Sequence, residues 1–434
     1  MTDREVTRTD SEASGHATSA ATREGRRLST REAAELLGVK PETVYAYVSR
    51  GQLSSRRGPG ARGSTFDAEE VESLARKNRR EPAVASTGGE LSVRTRITLI
   101  DKDRYYYRGV DALDLALAHS YEEVAEWLWT GVMRPGIRFT APAETVGAAR
   151  RAIDALPEHS GPTDHLRVAA ISAAAADPLR FDLSEKAVIG TARTLIPTLV
   201  TALPPAGRTH RDEGPLAHRL WARLTARQPD DAFLHALDTA LALLIDHDLA
   251  ASTLAVRVAA SARAHPYAAV SAGLGVLEGP LHGAASGLAH RMLLDVLDRG
   301  SAAPVVADEL RAGRRVPGLG HRLYPGQDPR AEALFALLEV IPKAGPALAA
   351  ARDVVATTAR HTDLHANVDL ALAVLTASSG MPAEAGETIF AVARTAGWIA
   401  HALEEYEERP LRMRPSGQYV GPRPPQPMPA PGGG

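Results

Sequence analysis

A chain of 434 residues with a formal net charge of −2 and 44 % hydrophobic residues can hold two or three domains with sizeable cores. Taken as a whole it is not built to bind polyanions, although a local basic patch remains open to it. Cysteine is absent, which excludes disulfides, thiolate metal sites, iron–sulfur clusters and a cysteine nucleophile.

Aromatic residues amount to only 5 %, so the core has to be assembled from Ala, Leu and Val. Ala and Leu are the strongest helix formers, and a mainly α protein is expected. Residues 1–27 carry Ser, Thr and charge without periodicity and read as a disordered segment; they lack the apolar stretch of a secretory signal. No run approaches the roughly eighteen uncharged apolar residues of a membrane span, so a cytoplasmic location is expected.

Residues 28–79 read as a small module. In "LSTREAAELLGVKPETVYAYVSRGQL", Ser29 followed by Glu32 fits a capping box for a helix over 30–37. Gly38 ends that helix, and Pro41 suits the first turn of a second one over 41–50. The next stretch, "SSRRGPGARGSTFDAEEV", reads as a glycine-rich basic hairpin leading to Phe66 and a third helix. The module resembles the winged helix-turn-helix of the MerR and excisionase type. That resemblance implies DNA as a partner, with Thr43, Tyr45, Tyr47 and Arg50 on or near the recognition helix. Arg56, Arg57 and Arg62 would lie on the wing, close to phosphates.

A polar break over 80–90 reads as a linker to a long helical body. Four stretches of the body combine histidine with glycine or acid: "LLIDHDLAAST", "LEGPLHGAASGLAH", "VPGLGHRLYPGQDPR" and "HTDLHANVDLAL". In the second, Gly279, Pro280 and Gly283 bracket His282 and should bring the chain close to something small. In the third, Gly318 and Gly320 bracket His321, and Arg330 follows nine residues later. Asp369 precedes an apolar run, so it is either neutralised by a partner or kept as a base of raised pKa. Two glycine-framed histidines and a buried acid suffice for concerted acid–base chemistry near neutral pH. His265, His290, His361, His365 and His401 lack such a frame, and most are expected on the surface or on a helix face.

In order along the chain, "IDKDRYYYRGVDALDLALAHSYEEVAEWLWTG", "DHDLAASTLAVRVAASA", "GPLHGAA", "PGLGHRLY…DPRA", "NVD" and "ARTAGWIAHALEEY…RPSGQYVGP" resemble the citrate synthase family. The resemblance implies a large helical domain (91–283 and 381–421), a small helical domain (284–380) and a cleft between them. Residues 422–434 would be a disordered Pro/Gly tail. It implies condensation of acetyl-CoA, or propionyl-CoA, with oxaloacetate to citrate, or 2-methylcitrate, and free CoA. The acyl-CoA is then a substrate, with no tightly bound cofactor and no metal.

By the same resemblance Asp369 takes the α-proton, His282 holds the thioester carbonyl, and His321 polarises the ketone and protonates the new alkoxide. His247, Arg330, Arg394 and Arg414 would bind the 2-oxo dicarboxylate, since a guanidinium fork matches a carboxylate. Arg414 would reach in from the other subunit of a homodimer with shared active sites. The chain departs from the family pattern at Ala250, Ser286, Ala366, Ser416 and Pro325, the last standing where many members carry a basic residue for the CoA phosphates. A function of another class is a DNA-binding transcription regulator whose synthase-like body senses a metabolite.

Overall fold

The computed structural model describes residues 26–49, 53–57, 64–78, 93–208, 212–279, 283, 285–324, 326–416, 418–426 and 428. The chain forms two compact units, residues 1–92 and 93–434.

The first unit is a three-helix module with a small sheet. Strand β1 (Arg27–Ser29) leads into α1 (Thr30–Leu37), followed by α2 (Pro41–Ser49), β2 (Ser55–Arg57), β3 (Ser64–Asp67) and α3 (Ala68–Asn78). Ser29 and Glu32 form the capping box, each side chain meeting the other's backbone N–H. Gly38 stops α1 in the left-handed region, at φ 64°, where glycine carries no Cβ penalty. The sheet order is β1–β3–β2, all antiparallel, with Leu28 opposite Phe66 and Arg56 opposite Thr65. Phe66, Val44, Val71, Ala33 and Leu53 fill its core. The described part of the module begins at Arg26, and residues 1–25 and 80–90 lie outside the described residues.

The second unit opens with a three-stranded antiparallel meander that composition alone did not announce: β4 (Thr98–Asp101), β5 (Arg104–Tyr107) and β6 (Val110–Asp111). The β5–β6 turn places Arg108 and Gly109 at φ 48° and 83°, the two positive values that a tight hairpin demands. Alternation along β5 turns Tyr105 and Tyr107 inward.

Helices then follow: α4 (Ala112–Ala118), α5 (Tyr121–Thr130), α6 (Ala143–Asp154), α7 (Pro162–Ala176), α8 (Glu185–Ala202), α9 (Leu216–Leu224), α10 (Asp231–Leu243), α11 (Ala251–Ser261) and α12 (Pro266–Leu277). After them come α13 (Ala285–Arg299), α14 (Ala302–Arg311), α15 (Pro329–Glu339), α16 (Gly345–Thr358), α17 (Val368–Ser378) and α18 (Ala385–Glu407).

Helix α13 packs on α16 and α17, α14 on α16, and α15 on α17, while α15 also meets α10. Helix α18 runs through the core with Trp398, Ile399 and Ala402 buried. Gly397 lets it approach the end of α10, because a Cβ there would stand 2.0 Å from the Ile245 carbonyl oxygen. Arg394 and His401 lie two turns apart on this helix, both buried. Among the described residues no single helix is long and apolar enough to cross a membrane.

Candidate active site

Two irregular stretches are zipped together ahead of α15 and α17. The Gly320 N–H donates to the His365 carbonyl at 2.8 Å and the Asn367 N–H to the Gly318 carbonyl at 3.0 Å. Asn367 Nδ2 donates to the Gly320 carbonyl at 2.9 Å, and Leu319 and Ala366 form a β-bridge. Gly318 sits at φ 79°, and a Cβ there would lie 2.8 Å from Leu370 Cβ. Glycine is needed here for both conformation and space. The pairing holds the loop carrying His321 against the start of the helix carrying Asp369. Asn367 caps that helix, its Oδ1 accepting the Asp369 N–H at 3.0 Å.

Asp328 joins the same assembly to Arg330. Its oxygens accept from Arg330 Nε at 2.9 Å and Nη2 at 2.7 Å, and Oδ2 also accepts the Val368 N–H at 3.0 Å. Nη1 of Arg330 makes no hydrogen bond among the described residues.

The third contribution comes from the turn after α10. The Tyr105 hydroxyl donates to the Leu243 carbonyl at 3.1 Å, and the Tyr107 hydroxyl reaches the carbonyls of Ala242, Leu243 and Asp246. The meander thereby pins the residues just before His247. The His247 ring meets the rings of Tyr105, His321 and Tyr324 at centroid distances of 5.5, 5.1 and 5.3 Å. Arg394 of α18 donates through Nε to the Leu244 carbonyl at 2.9 Å and lies over the Phe390 ring. Its two terminal nitrogens make no hydrogen bond among the described residues.

Burial decides the charge states. It pushes His321 down to about 4, with Arg330 adding to the shift. Burial, then Arg330, Arg394 and His321, hold His247 well below the usual histidine value. Both imidazoles are neutral at pH 7. His321 Nδ1 accepts the Leu323 N–H at 3.1 Å, so its proton resides on Nε2 as a donor. Burial lifts Asp369 to about 6, although Arg330 pulls it downward. Its place in the first turn of α17 favours the ionised form, and desolvation outweighs that. For Asp328 burial also opposes ionisation, yet the Arg330 guanidinium keeps it below the ordinary carboxylate range.

A neutral donor, a base of raised pKa and two buried guanidinium groups are therefore brought within electrostatic reach of one another, with Arg330 acting on His321, Asp369 and Arg394 alike. Residues 87–416 match the citrate synthase family in its C-terminal domain, and residues 27–79 match a helix-turn-helix domain. The chain belongs to the citrate synthase family. The citrate synthase of Haloferax volcanii is 32 % identical over 359 residues, which is 77 % of this chain and 94 % of that protein. The structure of citrate synthase from Thermotoga maritima has a TM-score of 0.64 at 27 % identity and covers 80 % of this chain and 98 % of that one. The Thermoplasma acidophilum enzyme, at 24 % identity and TM-score 0.63, covers 78 % of this chain and 96 % of its own, and shares the fold. The protein is thus a citrate synthase-type acyltransferase, with a coenzyme A thioester as substrate.

Of the family's expected site residues, His247 stands on the turn after α10, His321 and Arg330 on the loop into α15 and its first turn, Asp369 at the start of α17 and Arg394 on α18. His282 and Pro325 lie outside the described residues. Gly283 is described, and its lack of a side chain answers to the end of α12: a Cβ would stand 2.2 Å from the Leu277 carbonyl oxygen. Arg414 is exposed beyond α18, and its side chain makes no hydrogen bond among the described residues.

Sequence reasoning missed Tyr324, Asp328, Asn367 and Asp246. The Tyr324 hydroxyl lies 2.7 Å from His247 Nε2. Asp246 is fully buried and accepts from Thr98 Oγ1 at 2.5 Å and from His401 Nε2 at 3.1 Å. Arg257 in turn donates to His401 Nδ1 at 2.8 Å and to Glu404 and Glu405. His401 is therefore no surface histidine. His290 is not one either, being buried with Nδ1 2.8 Å from Thr376 Oγ1. Both stand on helix faces, as the sequence allowed, but on faces turned into the core, where they meet partners distant in sequence. His265 caps α12, accepting the Ala268 N–H.

In the helix-turn-helix module, Thr43, Tyr45 and Tyr47 stand on α2 and Arg56 and Arg57 on β2, whereas Arg50 and Arg62 lie outside the described residues. Tyr45 and Arg56 are exposed, while Tyr47 packs against the module's own core.

Proposed function

We propose that the chain condenses acetyl-CoA with oxaloacetate to give citrate and free CoA. The observation carrying this reading is the joint placement of His321, Arg330 and Asp369 by one carboxylate, Asp328, and one backbone zipper. Asp369, poised near 6, removes a proton from the thioester methyl group. The resulting enol attacks the ketone carbon of oxaloacetate, forming a carbon–carbon bond. Nε2–H of His321 donates to the ketone oxygen and delivers the proton to the alkoxide. Water then cleaves the thioester, releasing citrate and CoA. Arg330 Nη1 and the terminal nitrogens of Arg394 hold the carboxylates.

The thioester carbonyl is assigned to His282 by family resemblance. Closure of the 284–380 lobe on the large one would exclude water until condensation is complete. The Thermoplasma acidophilum relative was solved as a ternary complex with carboxymethyl coenzyme A and oxaloacetate, which supports this substrate pair. Propionyl-CoA, giving 2-methylcitrate, is the natural alternative donor. A homodimer completes the reading, with the exposed Arg414 of each chain serving the other's carboxylate site. A thiol-release assay across acyl-CoAs and 2-oxo acids, repeated with Asp369→Ala, tests the reaction.

The N-terminal unit favours a second activity, sequence-tuned DNA binding through α2 and the β2–β3 wing. The specific observation is the exposed Tyr45 and Arg56 on a module whose described residues pack a core around Phe66, Val44 and Val71. Full-length protein should bind duplex DNA with a steep salt dependence, and substituting Arg56 and Arg57 should flatten it. A metabolite-sensing regulator without turnover is the outcome that retained DNA binding and an absent thiol release would indicate.

A further inference from the structure

We propose that Tyr324 is a positioning residue for the 2-oxo acid half of the reaction, its hydroxyl fixing the ring orientation and tautomer of His247. This rests on the condensation reading above. Tyr324 is 2 % exposed, and it touches three groups of the site at once. Its hydroxyl lies 2.7 Å from His247 Nε2, its ring is 5.0 Å from that of His321, and the Arg330 guanidinium carbon stands 5.8 Å from its ring centre. Burial, with Arg330, Arg394 and His321 nearby, keeps His247 neutral, so one of its ring nitrogens carries no proton; the proposal makes that nitrogen Nε2, accepting the phenol O–H across the 2.7 Å contact. Burial raises the phenol well above its ordinary value, so the O–H persists at every working pH. Without that donor the neutral imidazole can exchange tautomers and rotate, and the oxo acid has to order it on binding.

The test uses the full chain as wild type, Tyr324→Phe, His247→Gln and the double variant. Phenylalanine keeps the ring packed on His321 and Arg330 and removes only the hydroxyl. Steady-state rates with acetyl-CoA and oxaloacetate are combined with calorimetry of oxaloacetate binding without acyl-CoA. The proposal expects the KM and Kd for oxaloacetate to rise about five- to tenfold in Tyr324→Phe, with the acetyl-CoA KM unchanged. In the His247→Gln background the same substitution should have no further effect. Unchanged oxaloacetate KM and Kd, or an effect undiminished in that background, overturns it.

Nitrogen NMR of wild-type protein labelled at histidine decides independently of whether the variants fold. A single neutral His247 tautomer with unprotonated Nε2 supports the proposal, and rapid tautomer exchange overturns it. If the wild type releases no CoA, the condensation reading fails, while the NMR result still judges Tyr324.

Discussion

Asp328 holds Arg330 with both carboxylate oxygens, at 2.9 and 2.7 Å, and both residues are almost wholly buried. The same carboxylate accepts the Val368 N–H at 3.0 Å, so the guanidinium proposed to bind the 2-oxo acid and the helix that carries Asp369, the proposed base, share one anchor. Replacing Asp328 with Asn leaves the buried Arg330 charge without its counterion. A loss of about 3–5 kcal/mol is expected for breaking such a pair from one side, read as a lower urea midpoint. A raised oxaloacetate KM should accompany it.

On the proposed mechanism the acid limb of the rate should belong to Asp369. A base acts ionised, and its folded value is about 6, so kcat should fall as the pH drops through about 6. His321, at about 4, remains the neutral donor throughout that range and adds nothing to the limb. Asp369→Ala should lower kcat by roughly 10²–10⁴, measured by thiol release across pH 5–8.

Linkage gives a second sign for the same residue. Its folded pKa is raised from 3.8 to about 6, so its stabilising contribution is full below the first value and is lost as pH rises through the second. At pH 7 an ionised, desolvated carboxylate is a liability, and Asp369→Asn should stabilise the protein by about 1–3 kcal/mol. Denaturant unfolding at pH 7 and at pH 4 checks this, with the gain expected at pH 7 and shrinking at pH 4.

Arg394 tests the carboxylate clamp. Arg394→Lys keeps a charge but loses the planar fork, and its tether to the Leu244 carbonyl goes with the Nε. A charge-assisted bond of about 1.5–3 kcal/mol corresponds to a rise of about tenfold to a hundredfold in the oxaloacetate KM. The acetyl-CoA KM should stay where it was.

Gly318→Ala probes the zipper. The residue is at φ 79°, and the added methyl would stand 2.8 Å from Leu370 Cβ. The conformation alone costs about 1–2 kcal/mol, and separating the two segments to relieve the contact moves His321 away from Asp369. Thermal unfolding should show the lost stability, and kcat should fall more than either KM rises.

Much of the site could be read in the sequence wherever a local signal existed. The glycines at 318 and 320 marked a loop built for close approach. Asp369 stood out as an acid ahead of an apolar run, and Ser29 with Glu32 and Gly38 bounded α1 by capping chemistry alone. What stayed hidden depends on contacts between distant segments. Asp246, His401 and Arg257 are joined across about 150 residues, and nothing in their neighbourhoods marks them as a buried chain. Asp328 read as part of an Asp-Pro-Arg signature, but its grip on Val368 requires the fold. Tyr324 lies inside the glycine-rich stretch, but nothing in its neighbourhood points to a partner 77 residues away. The β4–β6 meander was obscured because its tyrosines also suited a family pattern, and their alternation became meaningful only against α10.

The central claim is that this chain joins an acyl-CoA to a 2-oxo dicarboxylate with Asp369 as base. Release of free thiol from acetyl-CoA, followed with and without oxaloacetate in the wild type and in Asp369→Ala, tests it most directly. The account predicts oxaloacetate-dependent release by the wild type and a loss of roughly 10²–10⁴ in the variant. No release by the wild type, or equal release by both proteins, would contradict it.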